Sequence, residues 1–247
     1  DRYPDMNGYA ASKCSIGSLL KDHGEFIVSS GVWESYKNKI KDSLNSVSQT
    51  IKVIYPPKQD WIDKLNKLGA NHLLLSGFEG ETVLIAQYIC QKWGINEQDF
   101  MDAVVTFKKP EHRMEWIRNW KGIEFFNDSK ATNPDAVEKG IKAFKNKVHL
   151  IVGGESKGCQ FFSWKVALKK IVVQIYALGE AKELLSQQLK PELPVTKVDN
   201  LEYALEAALD LARPGENIIL SPGCSSFDMF ENYEDRGRQF KELVLKL

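Results

Sequence analysis

The sequence predicts an α/β protein whose second half folds around a parallel sheet with helices on both faces. From about residue 112 onward, short apolar runs alternate with longer runs that carry apolar residues at helical spacing. The short runs are continuously apolar, which is typical of strands buried on both faces of a parallel sheet. Because parallel strands are joined by right-handed crossovers, each strand is expected to lead into a covering helix.

Composition narrows the possible functions. The chain has 247 residues, 43% hydrophobic and 27% charged, which excludes wholesale disorder and is sufficient for a core. The 33 basic and 33 acidic residues cancel, so there is no global positive field for nucleic acid or an anionic membrane. No apolar run approaches the ~20 residues of a membrane span, and residues 1–5 lack a signal-peptide pattern. We therefore expect no nucleic-acid or membrane partner.

The cysteines indicate the cellular compartment of the protein, and the first residue indicates whether the chain is a fragment. Cys14, Cys90, Cys159 and Cys224 are far apart and form no Cys-x-x-Cys pair, so neither a disulfide framework nor a zinc cluster is expected. This usage fits a reducing cytoplasm. The chain begins at Asp1 without an initiator Met, and we expect it to be a fragment of a longer protein.

The first half is predicted to be mainly helical, with two short strands. Apolar spacing and turn residues predict helices over 12–20, 31–44, 58–68, 81–93 and 96–105 and strands over 25–30 and 50–55. Asn96 is the expected N-cap of the last of these helices, and Gly94 the C-cap of the helix before it.

The second half carries the alternating pattern. The predicted strands are 123–127, 148–152, 172–178, 195–198 and 217–220, and the predicted helices lie near 134–144, 162–170, 180–189, 201–212 and 230–246. Thr132 or Asn133 is expected to cap the helix that starts near Pro134.

Three loops that follow strands share one composition. We call them loop A (127–134), loop B (153–158) and loop C (221–228); they are rich in small and hydroxyl residues and contain Lys130 and Lys157. The carboxyl ends of parallel strands meet at one edge, where such sheets bind ligands. Small residues let backbone N–H groups approach an anion, and lysines neutralise phosphate or carboxylate. The residues alone indicate an anion pocket, or else ordinary loops with solvated lysines.

Longer motifs on these loops resemble a known family. The stretches are Asn127-Asp128-Ser129-Lys130-Ala131-Thr132-Asn133, Gly153-Gly154-x-x-Lys157, Leu220-Ser221-Pro222-x-Cys224-x-Ser226-x-Asp228-x-Phe230-x-Asn232-Tyr233-Glu234-x-Arg236-Gly237 and Phe107-x-x-Pro110-x-His112-Arg113-x-Glu115. With them the chain resembles the Mur ligases, the ATP-dependent amino-acid-adding enzymes of peptidoglycan precursor synthesis, and most closely those that add D-glutamate. The pattern stays in register over the whole chain and is strongest over 107–247.

The resemblance implies a domain organisation. Residues 1–112 would be the later part of a central ATPase domain, and residues 113–247 a C-terminal, Rossmann-like amino-acid-binding domain with a parallel-rich sheet. The family's UDP-binding domain and phosphate-binding loop would lie upstream of residue 1. In agreement, the sequence contains no Gly-x-x-x-x-Gly-Lys-Ser/Thr motif, since loop B has the wrong spacing. The chain by itself is not expected to catalyse the family's reaction.

The resemblance also implies a reaction. A carboxylate of UDP-N-acetylmuramoyl-L-alanine would be phosphorylated by ATP, with magnesium, to an acyl phosphate. The amine of D-glutamate would attack it, and the tetrahedral intermediate would collapse to an amide, with ADP and phosphate as the other products. Such chemistry needs an ordered, electropositive, dry site. We expect the enzyme to work as a cytoplasmic monomer.

Site residues are implied by the same motifs. Thr132 and Lys157 would hold one carboxylate of D-glutamate, and Ser226 would hold the other with the backbone of Phe227 and Tyr233.

Nucleotide contacts are implied for a second group. Arg113 and Asp128 would meet the ATP phosphates and ribose, and Lys130, implied as a catalytic residue, would contact phosphate. His112 is assigned to the nucleotide site as well, with a packing role as the alternative.

Lys13 is implied as a catalytic residue and as the magnesium ligand. It follows the Asp1-Arg2-Tyr3 landmark at nearly the family spacing. The matching lysine of the family is carbamylated, and its new carboxylate supplies the hard oxygen ligands that magnesium prefers. The alternative is an ordinary lysine on a helix surface.

One departure from the family pattern leaves other functions open. Glu79, Gly80 and Val83 replace the His-Asn pair and the further Asn of the family, whose asparagines meet the adenine. This change favours a second interpretation, a non-catalytic, degenerate ligase-like module that binds an anion. A third interpretation is another Mur or folylpolyglutamate-type ligase.

Overall fold

The structure is a computed structural model that describes residues 5–45, 48–70 and 78–247. The chain divides into two compact units, one ending at Phe107 and the other beginning at Lys108. The predicted identities of the two halves, an ATPase part over 1–112 and an amino-acid-binding domain over 113–247, stay predictions.

The first unit is mostly helical, as predicted. Its elements are α1 (Met6–Cys14), a 3-10 helix (Ser15–Leu19), β1 (Glu25–Ser29), α2 (Ser30–Asp42), β2 (Thr50–Ile54), α3 (Gln59–Lys67), α4 (Phe78–Lys92) and α5 (Glu97–Thr106). β1 and β2 pair in parallel, with Glu25 opposite Thr50. The predicted N-cap of α5 is confirmed, because the Asn96 side chain accepts the N–H of Asp99 at 2.9 Å.

The helix predicted over 12–20 is wrong in its limits. Asp5 starts α1 earlier than predicted, since its carboxylate accepts the N–H of Gly8 at 2.7 Å. After α1 the chain tightens into the 3-10 helix, where the Ser15 hydroxyl donates to the carbonyl of Ser12 at 2.8 Å. Such local side-chain bonds compete for carbonyls that a continuing α-helix would use.

The second unit is built on one sheet. Its elements are β3 (Glu115–Trp120), β4 (Ile123–Asn127), α6 (Pro134–Ile141), β5 (Val148–Gly153), α7 (Trp164–Ala167), β6 (Val172–Leu178), α8 (Lys182–Leu189), β7 (Val195–Lys197), α9 (Leu201–Leu211), β8 (Asn217–Leu220) and α10 (Tyr233–Leu245). The strand order is β3-β4-β8-β5-β6-β7. All pairs from β4 to β7 are parallel, whereas β3 is antiparallel to β4. The predicted α/β class with a parallel-rich sheet is confirmed.

β3 was not predicted from the sequence. It pairs with β4 through a two-residue turn in which Lys121 has φ +50° and Gly122 φ +83°. Positive φ at both central residues is the geometry that joins twisted antiparallel strands. The Asn119 side chain accepts the N–H of Gly122 at 3.1 Å and closes the turn.

The core of the second unit fixes the strands that carry the loops. Every residue of β5 and of β8 is buried. One apolar cluster includes Phe125, Ile218 and Tyr176 of the sheet with Leu205 of α9 and Phe240 of α10. Burying a side chain of this size contributes about 1.5–3 kcal/mol, so the sheet is a firm support for the loops at its edge.

All five helices of this unit are shorter than predicted, and the reason is clear for α7 and α10. α7 covers only the middle of the predicted 162–170, because the chain then turns and the N–H of Val172 bonds back to the carbonyl of Leu168 at 2.9 Å. α10 starts later than 230, because Asn232 caps it by accepting the N–H of Asp235 at 2.7 Å.

Within the described ranges, no helix is both long enough and apolar enough to cross a membrane.

Candidate functional site

Loops A, B and C lie side by side at one edge of the sheet, as predicted. The strands that precede them, β4, β5 and β8, are parallel, with β8 between the other two, so their carboxyl ends coincide. The N–H of Gly223 donates to the carbonyl of Ala131 at 2.8 Å and joins loop C to loop A. Glu155 and Ser225 exchange two backbone bonds of 3.0 and 3.2 Å, which join loop B to loop C.

A buried arginine of α10 bonds to all three loops. Arg236 is 1% exposed, and its guanidinium donates five hydrogen bonds of 2.9 to 3.4 Å. The acceptors are Ser129 in loop A, the carbonyl of Gly153 in loop B, and the carbonyls of Cys224 and Ser225 in loop C. Burial lowers the pKa of Arg236 to about 10, so the side chain remains cationic at neutral pH and adds positive charge next to the loops.

The residues predicted to hold an amino acid are distributed over these loops. Thr132 is half-buried in loop A, and Ser226 is 2% exposed in loop C. Lys157 of loop B is exposed, and its Nζ lies 5.3 Å from the ring centre of Phe227, which is 66% exposed. Lys157 and Phe227 therefore face the same patch of solvent. The Nζ of Lys157 also lies 3.7 Å from the carboxylate of Glu155, and the two side chains form an ion pair in which the lysine is half exposed.

Lys130 and Tyr233 form a pair at the start of α10. The Lys130 Nζ donates to the Tyr233 hydroxyl at 2.5 Å and lies 4.3 Å from the centre of the ring. The carbonyl of Tyr233 accepts from the Ser129 hydroxyl at 2.8 Å. The first turn of α10 is therefore held to loop A by bonds from two successive residues.

Asp128 is held by both of its carboxylate oxygens. Oδ1 accepts the N–H of Met114 at 3.0 Å, and Oδ2 accepts the hydroxyl of Ser221 at 2.7 Å. The side chain is 9% exposed.

His112 and Arg113 are neighbours with opposite environments. His112 is 5% exposed, and its Nδ1 accepts from the Asn127 amide at 2.9 Å. Arg113 is exposed. His112 and Met114 both have positive φ, +63° and +44°. The chain thus makes a tight turn that buries the imidazole and presents the guanidinium of Arg113 to solvent. The assignment of His112 to the nucleotide site, with packing as its alternative, stays a prediction.

Lys13 lies in the first unit. It is exposed in the last turn of α1, with its Nζ 5.4 Å from the ring centre of Tyr9. Across the parts of the chain that the structure describes, no three His, Cys, Asp or Glu side chains lie together as they would around a metal ion. Residues 1–4, which carry the Asp-Arg-Tyr landmark, lie outside the described residues.

The altered positions of the family pattern are in α4. Gly80 is buried there, and Glu79 and Val83 are partly buried. Residues 75–77 of the same motif lie outside the described residues.

Three residues of the site were given no role by the sequence patterns. Arg236 and Gly237 belong to the C-terminal motif and Asn127 to the first motif, so a signal was present, but their partners are distant in sequence. A Cβ on Gly237 would lie 2.2 Å from Nδ1 of His112, so glycine is required for this close approach. Asn127 bonds to His112 and also donates to the carbonyl of Gly237 at 3.2 Å.

Comparison with known proteins identifies relatives of this chain. Residues 112–224, which include loops A and B, β8 and the first part of loop C, match the family model described as Mur ligase, glutamate ligase domain. The predicted resemblance is confirmed: the chain is a relative of the Mur ligases. It is 35% identical over 254 residues, 99% of this chain, to a UDP-N-acetylmuramoylalanine–D-glutamate ligase of Protochlamydia amoebophila.

Other relatives agree with this assignment. The enzyme of the same name from Chlamydia trachomatis serovar D is 46% identical over 150 residues, 61% of this chain. These matches span 56% and 36% of the length of the two relatives. A folylpolyglutamate synthase of Mycobacterium tuberculosis, complexed with ADP, shares the fold with a TM-score of 0.59 at 14% identity, over 98% of this chain and 60% of that one.

Proposed function

We propose that this chain is part of an ATP-dependent ligase that adds D-glutamate to UDP-N-acetylmuramoyl-L-alanine, and that its second unit binds the amino acid. The observation that carries the proposal is the joining of loops A, B and C by hydrogen bonds to one another and to Arg236. A dicarboxylate needs donors from more than one direction, and these loops supply hydroxyl, ammonium and backbone N–H groups together. The names of the relatives support the same substrates.

The two carboxylates of D-glutamate are assigned to two sides of this edge. Lys157 and the hydroxyl of Thr132 bind one, and Ser226 binds the other with the backbone of Phe227 and Tyr233. Lys157 must then exchange its partner Glu155 for the ligand. That exchange costs little, because an exposed ion pair contributes only about 0–1 kcal/mol.

The nucleotide contacts are assigned to groups beside loop A. When bound, ATP supplies the phosphoryl group that activates the acceptor carboxylate, so that the amine of D-glutamate can form the amide and release phosphate. Arg113 and Lys130 provide positive charge for the phosphates. Asp128 accepts from the ribose. His112, whose ring is buried, acts by holding the turn that presents Arg113.

Lys13 is proposed to carry a carbamate whose oxygens bind magnesium. Its exposed amine is open to carbon dioxide, and a carbamate provides hard oxygen ligands. A ¹³C spectrum in ¹³C-bicarbonate is expected to show a carbamate signal that disappears in Lys13→Arg. A spectrum unchanged by that substitution would remove Lys13 from the proposal. We further propose that the parent enzyme works as a monomer in the cytoplasm.

Calorimetric titration with D-glutamate tests the amino-acid site. We expect Lys157→Ala and Thr132→Ala each to weaken binding at least tenfold, because each removes a donor to the same carboxylate. Lys169→Ala, which changes an exposed lysine just before β6, at the opposite end of that strand from the loops, is the matched control and is expected to bind as wild type. L-glutamate is expected to bind more weakly than D-glutamate.

Three outcomes would contradict parts of this proposal. Equal binding of L-glutamate and D-glutamate would favour the degenerate anion-binding module, which has no use for stereochemistry. Unchanged binding in both variants would show that the site lies elsewhere. Turnover belongs to the longer parent protein, where D-glutamate-dependent phosphate release is expected and release with only a different amino acid would point to another ligase of the family.

A further inference from the structure

Arg236 is a buried cation whose hydrogen bonds to the described residues include no carboxylate, although the negative charge of Asp228 is close enough to favour its charged form. All five of its bonds go to neutral oxygens, namely the Ser129 hydroxyl and four backbone carbonyls. Buried arginines are ordinarily paired with an acid, since an unpaired charge is costly to bury. An apolar side chain of similar volume would fill the space but would leave four backbone carbonyls and the Ser129 hydroxyl without these donors. The arrangement therefore calls for a reason why a guanidinium is kept here.

The positions of its acceptors supply that reason. Nε and Nη2 bond to Ser129 of loop A at 3.0 and 2.9 Å, three residues before Thr132. Nη1 bonds to Gly153 at 3.4 Å, at the start of loop B, and to Ser225 at 3.3 Å, next to Ser226 in loop C. A rigid, planar group with donors in fixed directions thus sets the spacing of three chain segments that bear the proposed ligands of one amino acid.

We propose that Arg236 is a positioning residue for the amino-acid substrate. Its guanidinium fixes loops A, B and C at the spacing that lets Thr132, Lys157 and Ser226 hold both carboxylates of one D-glutamate. This inference rests on the proposed function. It assigns the effect to the geometry of the guanidinium. An ammonium in its place would keep the charge but lack the planar fork, and could not hold all three loops at once.

The test compares charge, geometry and stability in three variants. D-glutamate binding to the 247-residue chain is measured by calorimetry for wild type, Arg236→Lys, Arg236→Gln and Val244→Ala. Val244 is fully buried on the same helix and belongs to the apolar core, so its variant loosens α10 without removing a bond to the loops. We expect Arg236→Lys and Arg236→Gln both to bind at least tenfold more weakly, and Val244→Ala to bind within twofold of wild type.

Each alternative outcome overturns the inference. Binding by Arg236→Lys within twofold of wild type would mean that charge alone is needed. Equal weakening in Val244→Ala would mean that any loosening of α10 has the same effect. If neither Arg236 variant folds, Ser129→Ala decides, because it removes the acceptor of Nε and leaves the arginine in place. We expect it to weaken binding three- to tenfold, and unchanged affinity would refute the role of Arg236.

Amide hydrogen exchange separates this inference from the proposed function. In Arg236→Lys, the N–H groups of Gly223, Glu155 and Ser225, which join the loops, are expected to exchange at least tenfold faster together, whereas the amides of β6 keep their rates. Faster exchange in one loop only would refute the spacing role. If wild type does not bind D-glutamate, the proposed function fails and the substrate role of Arg236 fails with it, while joint acceleration would still identify the residue as the link between the loops.

Discussion

Replacing Gly237 by alanine is expected to destabilise the second unit, although alanine is the better helix former. Gly237 lies in α10, where a Cβ would be 2.2 Å from Nδ1 and 2.8 Å from Cε1 of His112. The imidazole cannot step aside freely, because it is buried and bonded to Asn127 at 2.9 Å. The substitution must therefore displace either the ring or the helix.

The magnitude follows from opposing effects. Alanine gains about 1 kcal/mol over glycine in a helix. Overpacking a closed site costs about 1–3 kcal/mol, and a buried polar group that loses its partner costs about 1–3 kcal/mol more. The net expectation is a loss of about 1–5 kcal/mol in the free energy of unfolding.

A second helical glycine provides a matched control. Gly140 of α6 would place its Cβ 2.7 Å from Cε of Met114, which is the mobile end of a flexible side chain. Methionine can repack at small cost, so Gly140→Ala is expected to remain within about 1 kcal/mol of wild type. Urea unfolding followed by circular dichroism measures both variants. If Gly237→Ala unfolds at the same or a higher urea concentration than wild type, the account of the His112 contact is wrong.

Two further predictions concern titrating groups. Burial raises the pKa of the Cys224 thiol to about 12, so this thiol is expected to react slowly in the folded protein. Alkylation of the native protein at about pH 8 is expected to modify the half-buried Cys159 and to spare Cys224 until urea is added, as measured by peptide mass spectrometry. Rapid labelling of Cys224 in the native protein would contradict this prediction. Burial by itself raises the pKa of Glu216, but the hydrogen bonds from His149 and from the backbone N–H of Arg213 outweigh it and leave the pKa lowered. The stability that Glu216 contributes is thus present at neutral pH and is lost as the pH falls below the ordinary glutamate pKa of 4.5. The Glu216→Gln variant is expected to have a flatter pH dependence of its unfolding free energy between about pH 5 and pH 3. An unchanged slope would refute the assignment.

Much of the sheet was predictable because buried parallel strands are continuously apolar. The strands Ile123–Asn127, Val172–Leu178 and Asn217–Leu220 have their predicted limits. β3 was not predictable from apolarity, since its residues are mixed and partly exposed and the strand is stabilised by pairing with β4. The Lys121-Gly122 turn that makes this pairing possible is seen only in the structure, from its two positive φ angles.

The site was predictable as a set of loops but not as a network. Sequence patterns predicted that loops A, B and C share one edge, because that follows from parallel strands. Four of the five acceptors of Arg236 are backbone carbonyls. Because every residue has a carbonyl, the sequence does not indicate which residues will be these acceptors. In the same way, the burial of His112 depends on Gly237, a glycine that is distant in sequence.

The most direct test of the proposed amino-acid site is a ¹H–¹⁵N NMR titration of the chain with D-glutamate. We expect the amides of Thr132, Lys157 and Ser226 to shift together and to give a single dissociation constant. Shifts confined to residues 5–107, or three different dissociation constants for the three loops, would contradict it.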